Sequence, residues 1–254
     1  MAIFRAPNIA TDSLVFCVDP ANHKSNPGSS TAYDIAGGRD TSTNDYVTLS
    51  SQGSAGSTLS DNVGPRWVLN GTNQAWRTNQ NPTGFRPDAT HVEDTGYTVN
   101  VWLLPDTASQ SQGIFCNDGA GSSTYYGIST FINSNGRLGM RTGDGGGSLD
   151  SNQNSRITSS AITQSQWIFV SFVFFSIPGK WRILIDGSDA DVQTPTGTAT
   201  SIGYSSSEFG AIGVANQNYF DGGIGGLWVY NRLLSDIEIN EIYDKTKSKY
   251  NNPV

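Results

Sequence analysis

The residues best suited to chemistry in this 254-residue chain are aromatic side chains set beside amides and carboxylates in turn-rich segments. Trp76, Tyr125, Tyr126, Tyr204, Phe209 and Tyr219 all have Asn or Asp nearby, Asn117 and Asp118 among them. An aromatic ring offers a flat apolar face, and an amide or carboxylate offers directed hydrogen bonds. Together they can hold a sugar ring. Trp76, Asn117, Asp118, Tyr125, Tyr126 and Tyr219 are therefore candidate carbohydrate-binding residues. The competing reading is packing, because the six tryptophans of one domain also serve to fill a core. A second chemistry is calcium binding, which needs six to eight oxygen ligands. Asp19, Asp34 and Asp221, with Asp118, sit at expected strand ends and are the candidate calcium ligands; ordinary turn aspartates would look the same.

Other chemistries find little support. The two histidines, His23 and His91, fall in expected loops, and no Gly-x-Ser-x-Gly elbow accompanies them. Two Cys and two His at unrelated spacings make no zinc pattern. Gly143-Asp-Gly-Gly-Gly-Ser148 lacks the Lys-Ser/Thr of a phosphate loop. The densest acidic cluster, Asp236-Ile-Glu-Ile-Asn-Glu241, sits where a helix should begin, and the helix dipole accounts for its charges. The formal net charge is −7 and the only basic run is Lys245–Lys249, which argues against nucleic-acid binding. Cys17 and Cys116 lie in apolar runs and read as small buried hydrophobes, their pairing left open. Met1–Asn8 has too short an apolar part for a signal peptide, and no stretch approaches the ~18 apolar residues of a membrane span. Folding in a cytoplasm is the expectation, and the Asn70-Gly71-Thr72 sequon then has no consequence.

The elements that must position these residues are strands. Charged residues make up 15% of the chain, against about 25% in an average globular protein. Gly is abundant, and turn residues punctuate the sequence. Leu14–Val18 is apolar on both faces, as a central strand would be. In Tyr97–Pro105, Tyr97, Val99, Val101 and Leu103 alternate with Thr98, Asn100 and Trp102. Gln166–Phe175 and Trp181–Gly187 form a hairpin across Ile177–Lys180, and Gly113–Arg141 holds three short strands. Near the end, Ile224, Trp228 and Tyr230 should share one face of a strand, with Leu227 and Val229 on the other. A helix follows: Ser235 and Glu238 form a capping box, Leu234 and Ile239 a hydrophobic staple. Trp102, Phe172, Ile183 and Trp228 are expected between two sheets. The reading is one all-β domain over residues 14–254, an antiparallel sandwich with one short C-terminal helix. Residues 1–13 form an N-terminal arm whose Ile3, Phe4 and Ile9 are candidates for an assembly contact.

Two stretches carry a resemblance. Phe220-Asp221-Gly222, Ile224, Val229-Tyr230-Asn231-Arg232, Leu234-Ser235 and Glu238-Ile239 resemble the last strand and closing helix of laminin G-like, concanavalin-type β-sandwich (jelly-roll) domains. Val18-Asp19, Ala21-Asn22, Lys24-Ser25, Pro27-Gly28 and Tyr33-Asp34 resemble the N-terminal signature of such domains in structural proteins of tailed bacteriophages, especially those of cyanobacteria. That signature usually has an aromatic where this chain has Asn26. The resemblance implies a non-enzymatic virion surface protein, a capsid decoration or tail-associated component. Its partners would be other virion proteins, a further copy of itself and host glycans. A carbohydrate-binding adhesion or receptor-binding module is the alternative. A polysaccharide-cleaving enzyme is disfavoured, because Asn240 stands where the related glucanases' acidic strand needs a carboxylate. Calcium is the one cofactor the resemblance raises.

Overall fold

The structure is a computed structural model that describes residues 9, 11–28, 30–36, 48–53, 56–58, 63–78, 96–118, 126–145, 153–199, 201–204 and 210–250. Along the chain the strands are β1 (Leu14–Val18), β2 (Thr31–Tyr33), β3 (Thr48–Gln52), β4 (Gly56–Thr58), β5 (Arg66–Asn70), β6 (Ala75–Thr78), β7 (Tyr97–Pro105), β8 (Gln112–Cys116), β9 (Tyr126–Ile132) and β10 (Leu138–Asp144). There follow β11 (Gln153–Ile157), β12 (Ile168–Phe174), β13 (Arg182–Ile185), β14 (Ser188–Asp189), β15 (Thr196–Gly197), β16 (Ala211–Ile212), β17 (Val214–Ala215), β18 (Asn218–Tyr219) and β19 (Asp221–Tyr230). Helix α1 (Asp236–Tyr250) ends the described chain.

The first sheet runs β14-β13-β12-β7-β19-β5-β4, and β1 also pairs with β19. The second runs β15-β11-β10-β9-β8-β16-β6-β3-β2, and β17 and β18 form a separate hairpin. Every described pair is antiparallel, as the alternating pattern implied. The inner faces of the two sheets build the main core. Val99, Val101, Phe172, Ile183, Leu227 and Val229 of the first sheet meet Ile114, Ile128, Leu138 and Met140 of the second. Trp67 and Trp76 bridge the sheets with ring centres 5.3 Å apart. Trp76 was expected in a loop; the structure puts it in β6, with 1% of its surface exposed.

A second apolar layer lies on the outer face of the first sheet, under α1. Trp102, Phe169, Val173, Leu184, Trp228 and Tyr230 pack there against Leu234, Ile239, Ile242 and Tyr250. Phe172 and Ile183 lie between the sheets as expected, whereas Trp102 and Trp228 do not. Trp102 follows the alternation of β7, which puts it on the face that the helix covers. For Trp228 the reason is a bulge. Against β7, Ile224 pairs with Leu103 but Leu227 pairs with Val101, so β19 carries one extra residue at Gly225–Gly226. Side chains beyond that point swap faces. Ile224 and Leu227 therefore share the inner core, and Trp228 and Tyr230 turn outward.

The helix closes over the bulge. The Gly226 N–H donates to the Tyr250 hydroxyl at 2.8 Å. A side chain at Gly225 would stand 2.7 Å from the Tyr250 ring, so only glycine admits that close approach. Trp102 stacks on Tyr250 with centres 4.8 Å apart, and its Nε1–H donates to Thr246 Oγ1 at 2.8 Å. At the other end the capping box forms as read: Glu238 Oε2 accepts the Ser235 N–H at 2.9 Å, and the Glu238 N–H donates to Ser235 Oγ at 3.4 Å. Arg232 pairs with Glu238 at 2.6 Å and holds its carboxyl down at about 2.

Tyr250→Phe keeps the ring and removes the acceptor of a buried N–H. It should cost about 1–3 kcal/mol in urea unfolding. An unchanged midpoint would show that the bulge does not depend on the helix.

Candidate functional site

The outward face of the second sheet is set by alternation. Ile128, Ile132, Leu138 and Met140 point into the core, so Ser129, Phe131, Gly139 and Arg141 face away from it. Phe131 lies opposite Gly139, and its ring tip lies over that glycine: an added Cβ there would come within 2.3 Å of the ring. The Arg141 guanidinium sits 4.5 Å from the centre of the same ring.

The wall of the site is the β17–β18 hairpin, which stands on β8 at Gly113. A Cβ on Gly113 would lie 2.0 Å from the Ala215 nitrogen, so the hairpin can sit this close only because Gly113 has no side chain. The Cys116 thiol donates to the Val214 carbonyl at 3.3 Å, and Gln52 Nε2 donates to the Tyr219 hydroxyl at 3.2 Å. Asn216 and Gln217 form the tip with φ of 49° and 63°, the left-handed pair of a two-residue type I′ turn. Asparagine tolerates that region, while glutamine is strained in it. Backbone strain of this kind gathers where a ligand is gripped.

Between hairpin and sheet lies a groove of about 270 Å³. Phe131 and Arg141 line it together with Gln112, Ser129 and Asn133 from the sheet and Asn216 and Asn218 from the hairpin. Several of these polar groups are held in place. Gln112 is fully buried; it donates to the Thr107 carbonyl at 2.6 Å and accepts the Asp221 N–H at 2.8 Å, tying the groove to the start of β19. Asn133 Oδ1 accepts the N–H groups of Asn135 and Arg137, each at 3.0 Å. Asn218 Nδ2 donates to the Asn216 carbonyl at 3.1 Å. Fixed amides beside one aromatic ring suit a ligand rich in hydroxyls. Among the described residues, those lining the groove include no Asp, Glu or His.

The residues singled out from sequence lie mostly elsewhere. Trp76 is sealed in the core and presents no ring face to a sugar. Asn117 and Asp118 are fully buried, and Asn117 Oδ1 accepts the Ile128 N–H at 2.7 Å, which makes it a strut of the sheet. Tyr126 is half-buried at the far end of β9, about 17 Å from Phe131 at the rise of a strand. Tyr219 anchors the hairpin beside the groove. Tyr125 and Phe209 lie outside the described residues, as do Ile3 and Phe4 of the arm. Ile9 packs against the layer under α1, so the arm folds back at that point. Cys17 and Cys116 are buried thiols on the outer faces of opposite sheets and are not joined to each other.

The proposed calcium ligands Asp19, Asp34, Asp118 and Asp221 form no metal site among the described residues. Asp19 Oδ2 accepts Lys249 Nζ at 2.9 Å, and its Oδ1 accepts the Ala21 N–H at 2.9 Å. Asp34 Oδ1 accepts the N–H groups of Cys17 at 2.7 Å and Ala36 at 2.8 Å. Asp221 lies six residues from Leu227, the partner of Val18, which is about 20 Å along a strand. Among the described residues no three His, Cys, Asp or Glu side chains gather as a metal site.

The groove residues were not picked out from sequence, although a signal existed. Phe131 is an aromatic on the polar face of a strand whose other face reads Ile128, Thr130, Ile132. The glycine that makes room for it, Gly139, and the glycine under the hairpin, Gly113, are meaningful only once strand register is known.

Burial drives the Asp34 carboxyl up to about 6, despite the N–H groups it accepts. Its folded-state value exceeds the unfolded one of about 3.9, so the folded chain binds the extra proton between roughly pH 4 and 6. Stability from this group is complete below pH 4 and is lost as pH rises through about 6. Asp34→Asn should remove that slope, worth up to about 2–3 kcal/mol between pH 4 and 7. Parallel urea midpoints for variant and parent across that range would refute the assignment.

Comparison with known proteins agrees with this architecture. The family described as the concanavalin A-like lectin/glucanases superfamily matches residues 78–240, more than half of the chain. The binding domain of botulinum neurotoxin serotype D superposes with a TM-score of 0.63 at 12% identity, covering 96% of this chain and 56% of that one. The binding domain of botulinum neurotoxin DC, solved in complex with SialylT, gives 0.61 at 13% identity, over 92% of this chain and 52% of that one. The chain thus spans about half the length of these toxin domains. Domain 4 of AbnA, a GH43 extracellular arabinanase from Geobacillus stearothermophilus solved in complex with arabinotriose, gives 0.55 at 18% identity, over 91% of this chain and 98% of that one. No curated protein sequence matches the chain. The matched span and the shared two-sheet fold together show that the chain belongs to the concanavalin A-like lectin/glucanase superfamily.

Proposed function

We propose that the chain is a non-catalytic glycan-binding module and that its ligand lies in the groove beside the β17–β18 hairpin. The observation that carries this reading is the lining: one aromatic ring, several anchored amides, and no described acid or base to cleave a glycosidic bond. A groove of about 270 Å³ suits one or two sugar units. Two of the similar structures are supportive, since they were solved in complex with SialylT and with arabinotriose. AbnA domain 4 adds that a domain of this length and fold, part of a larger protein, holds an oligosaccharide.

The N-terminal resemblance extends the proposal to a setting. The module would sit on the surface of a bacteriophage particle, as a decoration or tail component, and present its groove to host glycans. Residues before Ile9 would then attach it to a neighbouring virion protein or to another copy. The Asp19–Asp34 segment supports this only as a fold element, because its side chains are occupied with holding the loop in place. Gold-labelled antibody against the chain should decorate particles at regular positions. Unlabelled particles from a lysate that contains the protein would remove the virion setting and leave the glycan reading intact.

Titration of the purified chain with a panel of oligosaccharides should give saturable binding without release of reducing ends. Phe131→Ala and Asn218→Ala should each weaken it by about tenfold, roughly 1.4 kcal/mol. Absence of binding to every member, or new reducing ends above a heat-inactivated control, would overturn the proposal.

A further inference from the structure

We propose a second ligand site on the outward face of the second sheet, at Arg77, across the β17–β18 hairpin from the groove. We assign it to the carboxylate or sulfate of a hydroxylated ligand. The proposal does not depend on the glycan reading of the groove.

Trp76 points into the core, so Ala75 and Arg77 on either side of it face outward. Arg77 lies opposite Ser50 on β3 and Ala211 on β16. Both neighbours are small and neither carries a charge. Gln52 lies opposite Ala75, which makes it the diagonal neighbour of Arg77 on the same face, with Cβ atoms about 7 Å apart. Tyr219 of the hairpin stands next to Gln52 and accepts its Nε2–H at 3.2 Å. Ala75 and Ala211 pack with Val214 and Ala215 at the foot of the hairpin. Arg77 on β6 is three strand spacings from Phe131 on β9, about 14 Å of sheet. The hairpin rises between them, so the two sites are separate.

Two polar atoms at this place are buried without a partner: Arg77 Nε and Gln52 Oε1. Among the described residues the Arg77 guanidinium has no ion pair and no hydrogen bond. Other arginines of the chain are well satisfied. Arg156 donates to the carbonyls of Gln193, Gly179 and Trp181, and Arg182 and Arg232 pair with carboxylates. A buried donor left unpaired is costly, and in a native protein such an atom marks where an ion, a water or a ligand belongs.

The two orphaned atoms ask for different things. Turned toward an oxyanion, the guanidinium offers Nε–H and one Nη–H as a parallel pair, which matches two oxygens of a carboxylate or sulfate. Gln52 Oε1 needs a donor, which an ionised acid lacks and a hydroxyl supplies. A neutral polyol answers Gln52 but not the charge. A bare anion answers Arg77 but not Gln52. An anionic group with a hydroxyl beside it, as in an acidic sugar, answers both. The net charge of −7 gives the protein no long-range attraction for anions, so selection at this site acts at short range.

The test is titration of the isotope-labelled chain with glucuronate, glucose 6-sulfate and glucose, watching the Arg77 Nε–H signal. At least one of the two acids should shift that signal saturably and raise the melting temperature, and which one does so identifies the oxyanion. Glucose should do neither. Arg77→Met keeps a long stem and removes the unpaired donor. It should weaken acid binding tenfold or more and leave the ligand-free melting temperature unchanged or higher, which loss of a purely structural arginine would not do. Gln52→Glu should block the acids by placing a carboxylate within reach of Arg77. Silence toward both acids, an equal response to glucose, or acid binding that survives Arg77→Met would overturn the site. None of these results bears on the groove, whose reading rests on the oligosaccharide panel and on Phe131→Ala.

Discussion

A buried backbone hydrogen bond ties the helix to the strand that feeds both apolar layers of this molecule. The Gly226 N–H leaves the ladder where β19 bulges, and the Tyr250 hydroxyl accepts it from the last residue of α1. Without the bulge, Ile224, Trp228 and Tyr230 would share a face, and Trp228 and Tyr230 could not reach the helix layer while Ile224 stays in the sandwich core. With it, the first half of β19 feeds the sandwich through Ile224, and the second half continues to do so through Leu227 and Val229 while sending Trp228 and Tyr230 to the helix. An orphaned backbone donor at that depth would be costly. The helix therefore both covers the sheet and completes its backbone hydrogen bonding. Its N-terminus is held as firmly, since Glu238 is shared between the Ser235 cap and Arg232.

The strands and the helix were legible because their signals are local. β1 and β7 match the runs read from sequence, and the capping box at Ser235 forms as its spacing implied. β11 was missed because Gln153–Ile157 is polar along most of its length and edge-like in burial. β6 was missed because four residues, Ala75–Thr78, give too short a run to show alternation. The bulge could not be read at all: four glycines in β19 announce close approach but not which pair absorbs the extra residue.

The site was less legible than the fold for a related reason. Residue type alone drew attention to Trp76, Asn117 and Asp118, yet burial turned the first into core and the other two into buried parts of the sheet framework. Asp19 and Asp34 proved to be loop closers, each already accepting nearby N–H groups. What makes the groove is a relation between distant glycines and the groups that lie on them, Gly113 under Ala215 and Gly139 under Phe131. Such relations depend on register, which no single window of sequence contains.

Among the described residues, each strand order ends in very short strands, and the outer side of β1, which pairs only with β19, is capped at Cys17 by Asp34 and Ile35. β14 and β15 have two residues each, and β2 and β4 have three. An edge that short offers a second chain few open N–H and C=O groups to pair with. This matters in a protein whose charged residues are only 15% of the chain, because few charged side chains are available to block edge pairing. Copies can therefore lie side by side without zipping together into a continuous sheet.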